Sequence, residues 1–154
     1  MSLYKFKSSG KTSSQIRNEI QPVTYFPIGI KTPLSLDDKN LFAMHYNNGD
    51  QIHDNLKNLI LTNWGERLGF YFFGANLREL TSELNSIDAF DSAAIERIKT
   101  AVSTWMPYVT LKNFSSNYNR EENRSVGILK IMITYSVPQL KIDDRALQVS
   151  MHVI

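Results

Sequence analysis

The chain has 154 residues, 42% hydrophobic and 21% charged, with a net charge of +2 and no cysteine. A single domain of this size hides roughly 70% of the surface of its unfolded chain and needs no staples. The lack of cysteine excludes disulfides and thiolate metal sites and fits assembly in a reducing compartment, while a charge so near zero does not by itself imply nucleic acid.

Residues 1–20 hold Lys5, Lys7, Lys11 and Arg17 against Glu19, a local balance of +3 that leaves −1 for the rest. The basic start is not followed by an apolar core, so no secretory signal is expected. Such an arm reads as a solvated tail or as a segment that docks on a partner protein, with RNA or DNA as the competing partner. Residues 22–34 carry Pro22, Pro27 and Pro33 between Val23, Tyr25, Phe26, Ile28 and Ile30. Proline removes a backbone donor and fixes φ, so extended chain lying on a surface is expected there. Phe42, Met44 and Tyr46 alternate with less apolar neighbours, as in a short strand.

The middle of the chain has helical spacing. Ile52, Leu56, Leu59 and Ile60 share a face, with Asp50 placed to cap the helix and Gly65 placed just past its end. A second helix is expected over residues 75–85, with Leu77, Leu80 and Leu84 on one face. A third carries Ile95, Ile98, Val102, Trp105 and Met106, with Asp91 or Ser92 as cap and Pro107 as its stop. The period then changes to 2. Leu129, Ile131, Ile133, Tyr135 and Val137 alternate with Lys130, Thr134 and Ser136, with Val109 and Leu111 in a partner strand. Residues 117–125 read as the hairpin loop between the two. A last strand carries Leu147, Val149, Met151 and Val153. The expected fold is α+β, about three helices packed on a small antiparallel sheet with exposed edges. Residues 1–35 form an extended basic and proline-rich arm, and residues 36–154 a single domain.

No reactive constellation emerges. Glycoside hydrolysis needs two carboxylates on opposite sides of a sugar. Glu79 and Glu83 lie one helical turn apart and share a face, and Glu66 is followed by Arg67, whose charge holds an acid ionised. His45, His53 and His152 stand in no metal-ligand frame, and neighbouring His53 and Asp54 point in different directions on a helix. There is no GxSxG elbow, no GxGxxG and no phosphate-binding loop. The run Phe70-Tyr71-Phe72-Phe73 lacks the basic groove of a nucleic-acid stacking platform and reads as a hydrophobic linker pinning two helices.

Residues 56–80, LKNLILTNWGERLGFYFFGANLREL, resemble the core signature of the tail-lysozyme-like baseplate wedge family of contractile-tailed phages, type VI secretion baseplates and related injection machines. That pattern is an apolar helix, Leu-Thr-x-x-Gly-Glu-Arg, aromatic residues, Phe-Gly and a helix start. The matching positions are Leu61, Thr62, Gly65, Glu66, Arg67, Phe73, Gly74, Leu77 and Arg78, and the likeness extends over about residues 50–138. Where the family ends its third helix with Glu-Pro-Arg, this chain has Met106-Pro107-Tyr108. The proline is kept and both charges are gone.

The resemblance implies a non-catalytic structural subunit without cofactor, metal or membrane, located in the virion at the tail baseplate and assembled in the host cytoplasm. Its partners would be other baseplate wedge proteins, the tail sheath protein, and tube or hub proteins. Thr62, Gly65, Glu66, Arg67, Phe73, Gly74, Leu77, Arg78 and Pro107 would then serve the turn itself or contact a partner. The strand carrying Leu147, Val149, Met151 and Val153 would offer an edge on which the sheath begins, because unpaired N–H and C=O groups attract added strands. Deleting residues 146–154 is then expected to stop sheath assembly and leave the domain folded. The competing readings are a peptidoglycan-cleaving tail lysozyme, a nucleic-acid-binding adaptor using the arm, and a sheath or tube subunit.

Overall fold

Asn47 starts the first helix. Its backbone is extended and its side-chain oxygen accepts the Gly49 N–H at 2.9 Å, satisfying a donor that the first helical turn leaves open. The computed structural model describes residues 26–38, 41–82, 87–120 and 127–153. Within them α1 spans Asn48–Leu61, α2 Leu77–Ser82 and α3 Ile87–Trp105. The expected cap Asp50 is therefore wrong by three residues. Asp50 lies inside the first turn and pairs with Arg145 at 2.8 Å. Likewise Asp91 and Ser92 are interior to α3, which begins earlier than expected, and Asp91 accepts a hydrogen bond from the Ser116 hydroxyl. In both cases an acid near the helix start resembles a cap in sequence while its side chain is recruited by a distant strand. Leu84, Glu83 and residues 1–25 of the expected arm lie outside the described residues.

The main sheet has the order β3–β4–β5, antiparallel throughout, formed by Thr110–Arg120, Gly127–Val137 and Ile142–Val153. Residues 117–120, expected in a loop, continue β3 and pair down to Arg120 opposite Gly127. Cross-strand backbone bonding decides that stretch against its polar composition. A bulge between Leu111 and Asn113 lets Leu111 and Phe114, three residues apart, both pack toward the core.

Leu129, Ile131, Ile133, Tyr135 and Val137 of β4, with Leu147 and Val149 of β5, form the inner face and are buried. They meet Leu56, Leu59 and Ile60 of α1 and Ala94, Ile98 and Val102 of α3. Each such fully buried aliphatic side chain contributes about 1.5–3 kcal/mol. Lys130, Met132, Gln148 and Ser150 face outward and are exposed, so the helices cover one face only. The architecture is α+β, as the change of period indicated. Leu147 and Val149 being core residues corrects one expectation: removing residues 146–154 takes away part of the core, and the remainder would not stay folded.

A second, two-stranded sheet pairs β1, Gly29–Ile30, with β2, Met44–His45. The strand expected around residues 42–46 thus shrinks to two residues, and its partner lies in the proline-rich segment. Both rest on the N-terminal half of α1, where the Asp54 carboxylate accepts the Thr32 N–H at 2.9 Å and binds the His45 ring at 2.7 Å.

A candidate partner-docking surface

The signature residues lie in the connection from α1 to α2. Thr62 closes α1 in an extended conformation, its N–H and hydroxyl both donating to the Asn58 carbonyl. Gly65 is not the residue that ends the helix. It sits three residues on, at φ +82°, and its N–H donates to the Tyr71 carbonyl at 2.8 Å, closing a loop over residues 65–71. Gly74, at φ +111°, has a harder constraint: a β-carbon there would lie 2.1 Å from the Thr62 carbonyl oxygen. The chain thus comes back against the end of α1, with the Ala75 N–H donating to Leu59 and the Asn76 N–H to Thr62.

The polar residues of the signature do not pair as their sequence order implied. Glu66 accepts the Asn63 side-chain and backbone N–H groups at 2.9 and 2.8 Å, and these bonds, aided by the Arg78 charge, hold its carboxyl below the usual range. Arg67 instead rests over the rings of Phe73 and Phe70, 4.2 and 5.5 Å from their centres. Glu66 is exposed and charged, without the burial that raises a general acid. Glu79 accepts from Asn76 and from Arg97 at 2.8 Å, and Arg97 also donates to the Asn76 carbonyl. That knot ties the start of α2 to α3. Asn76, at φ +50°, tolerates the left-handed conformation because its short amide bonds locally.

Two of the four consecutive aromatics reach α3: Phe73, edge-on to Trp105 at 5.1 Å and against the core, and Phe70, edge-on to the same ring at 5.8 Å. Phe70, Tyr71 and Phe72 are exposed, together with Trp64 and the fully exposed Leu68. The expectation of a hydrophobic linker pinning two helices therefore holds for Phe73 and in part for Phe70, whereas the turn closed by Gly65 and Tyr71 leaves Tyr71 and Phe72 largely in solvent. This apolar crest is the feature that sequence reasoning missed, and the four-aromatic run was its available signal.

Two clefts are lined by signature residues. One of about 590 Å³ gathers Thr62, Glu66, Arg67 and Phe73 with Met106 and Tyr108, the residues flanking Pro107. Pro107 itself is exposed in the turn after α3. Apolar and phenolic side chains therefore stand where the family pattern has charges. The other cleft, of about 450 Å³, brings Leu77 and Arg78 beside Met151 of β5. Leu147 and Val149 lie beneath the sheet in the core, so only the β5 backbone and its outward side chains can meet a partner along that edge. Val153 is the last residue of β5.

Among the described residues no group of three or more His, Asp or Glu is placed to hold a metal ion, and no helix is long and apolar enough to cross a membrane. No protein-family model matches the sequence, and no curated protein is significantly similar to it. Solved structures are. A chain of the anti-feeding prophage baseplate is similar at 19% identity and a TM-score of 0.58, covering 70% of this chain and 82% of its own length. A proposed tail lysozyme from Geobacter sulfurreducens is similar at 18% identity and a TM-score of 0.58, covering 70% of this chain and 93% of its own. The chain therefore shares its fold with a chain of the anti-feeding prophage baseplate and with a proposed tail lysozyme.

Proposed function

We propose that this chain is a structural subunit of a contractile-tail baseplate that accepts a strand of the tail sheath protein on the free edge of β5 and so starts sheath assembly. The observation that carries this reading is β5 itself: twelve residues that, among the described residues, have β4 as their one neighbour in the sheet. Leu147 and Val149 anchor the strand from below, so its open row of N–H and C=O groups is held straight before any partner arrives. An added strand then gains main-chain hydrogen bonds at little ordering cost to this subunit.

Other baseplate wedge proteins meet the apolar crest and the cleft around Arg67 and Tyr108, with tube or hub proteins beyond them. Thr62, Gly65, Gly74 and Leu77 act within the chain by shaping that turn, whereas Arg67, Tyr108 and the exposed aromatics act on the partner. The chain works in the virion, after assembly in the host cytoplasm, and does so without turnover.

The test is amide hydrogen exchange along β5. In the free protein, alternate amides of β5 point away from β4 and exchange fast. In particles carrying the sheath they become protected by at least about a hundredfold, as central strands are. Fast exchange persisting at those amides in the sheathed particle sinks the proposal. Clearing of a cell-wall suspension by the purified chain would instead support the lysozyme reading.

A further inference from the structure

The larger cleft, at the end of α1, holds a cation that no acid among the described residues answers. Arg67 stands 4.2 Å over the Phe73 ring and 5.5 Å from that of Phe70, so aromatic faces hold its guanidinium where an ion pair would ordinarily do so. The acid beside it in sequence is already satisfied. Asn63 donates its side-chain amide to one oxygen of Glu66 and its backbone N–H to the other, and the cation that acts on this carboxylate is Arg78. Leu59, Met106 and Trp105 give the same cleft apolar walls. Tyr108 adds a hydroxyl that meets no hydrogen-bond partner among the described residues. Arg, Trp and Tyr are the residue types that dominate binding energy at protein interfaces, and here they line one concave space of about 590 Å³.

We infer that this cleft takes an acidic side chain of a neighbouring protein subunit, its carboxylate received on the open edge of Arg67 and its stem laid against Phe73 and Met106. The inference rests on the baseplate reading in placing that neighbour in the same particle, and it adds the chemistry of the contact. Charge decides the occupant. A protein surface that covers Phe73, Trp105 and Tyr108 also strips water from the guanidinium over Phe73. A cation buried without an anion is more unfavourable than the apolar contact is favourable, so the partner has to bring the anion. The guanidinium fork matches a carboxylate through two parallel N–H···O bonds, and a ring beneath it leaves that edge open. The nucleic-acid backbone fits less well, because its run of charges calls for several cations, and Glu66 on the same wall repels it. One carboxylate needs one cation, which is what the cleft offers. Arg67 is also held in advance, over a ring that is itself edge-on to Trp105 at 5.1 Å, and so loses little freedom when the partner arrives.

The experiment uses the full chain, free and in purified particles, as wild type, Arg67→Met and Arg67→Lys. The first variant keeps an apolar stem over Phe73 and removes the charge. The second keeps a charge on an amine that a water-soluble carbodiimide joins to any carboxylate in contact with it. Incorporation of Arg67→Met into particles should fall by about tenfold or more, as for an anchor residue of an interface. Its free form should melt within about 4 °C of the wild type, the loss of one exposed cation–ring contact. Carbodiimide treatment of Arg67→Lys particles, read by mass spectrometry, should join position 67 to an Asp or Glu of another chain. Exclusion of Arg67→Lys together with Arg67→Met also supports the inference, since an ammonium cannot supply the fork. Particles that take up Arg67→Met as well as the wild type overturn it and leave the baseplate reading standing. So does an incorporated Arg67→Lys chain that cross-links at position 67 only to its own acids, or to none. Wild-type particles that lack the chain overturn both. A much lower melting temperature of free Arg67→Met overturns the inference by making the charge a support of the fold. A salt-sensitive complex of the wild type, and not of Arg67→Met, with a single-stranded DNA oligonucleotide overturns it in favour of a phosphate backbone.

Discussion

Arg67 places its guanidinium 4.2 Å from the centre of the Phe73 ring, and the acid beside it in sequence, Glu66, is held by Asn63 instead. A planar cation over an aromatic face keeps its edge N–H groups free, so Arg67 stiffens the turn and still presents donors to a partner.

The two roles separate by mutation. Replacing Arg67 by alanine should cost about 0.5–1 kcal/mol in denaturant unfolding, the value of an exposed cation–ring contact. Phe73→Ala, which removes a ring packed on Trp105 and the core, should cost about 3 kcal/mol. Unchanged stability of Arg67→Ala with loss of wedge binding would place Arg67 wholly on the partner side.

Gly74 and Gly69 both have positive φ, at +111° and +81°, yet differ in their surroundings. At Gly69 nothing lies within 4 Å of an added β-carbon, whereas at Gly74 the Thr62 carbonyl is 2.1 Å away. Gly69→Ala should cost about 1 kcal/mol for conformation alone. Gly74→Ala should cost several times more, since backbone has to move to admit the methyl group. Equal melting temperatures for the two variants would contradict the close approach of residue 74 to the end of α1.

His53 reports on pH. Its Nδ1 lies 3.0 Å from the Tyr135 hydroxyl, and burial holds the ring below its ordinary value of 6.5, against the raising pull of Asp54 and Asp50 and with the help of Arg145 and Lys57. The folded protein therefore takes up this proton less readily than the unfolded chain. The stability that His53 contributes is present above pH 6.5 and is lost as pH falls through the folded value. Thermal melts from pH 8 to 5 should show this decline, and His53→Gln, which keeps an acceptor for Tyr135, should flatten it. A decline of the same size in the variant would assign it elsewhere.

β5 alternates between core and surface, and single substitutions should follow the alternation. Leu147→Ala should cost about 3 kcal/mol, whereas Gln148→Ala should stay within about 0.5 kcal/mol. Comparable losses at both positions would contradict the one-sided burial of the sheet, in which Leu147 is in the core and Gln148 in solvent.

The sequence by itself determined the element types, the α+β class and the inner face of the sheet, because side-chain periods of 3.6 and 2 are local properties of 129–137 as much as of Ile52, Leu56 and Leu59. The resemblance carried by Thr62 to Arg78 was likewise legible in the sequence, as a run of residue types at fixed spacing. Only the tertiary structure decided which acids cap helices and which reach across to strands. Asp50 and Asp91 stand near helix starts, yet Arg145 and Ser116, distant in sequence, recruit them. The same holds for the aromatic run and the proline-rich segment. Whether an apolar side chain faces core or solvent there depends on where the Gly65–Tyr71 closure and the Asp54–Thr32 bond hold the backbone, and both join residues whose proximity no local period encodes.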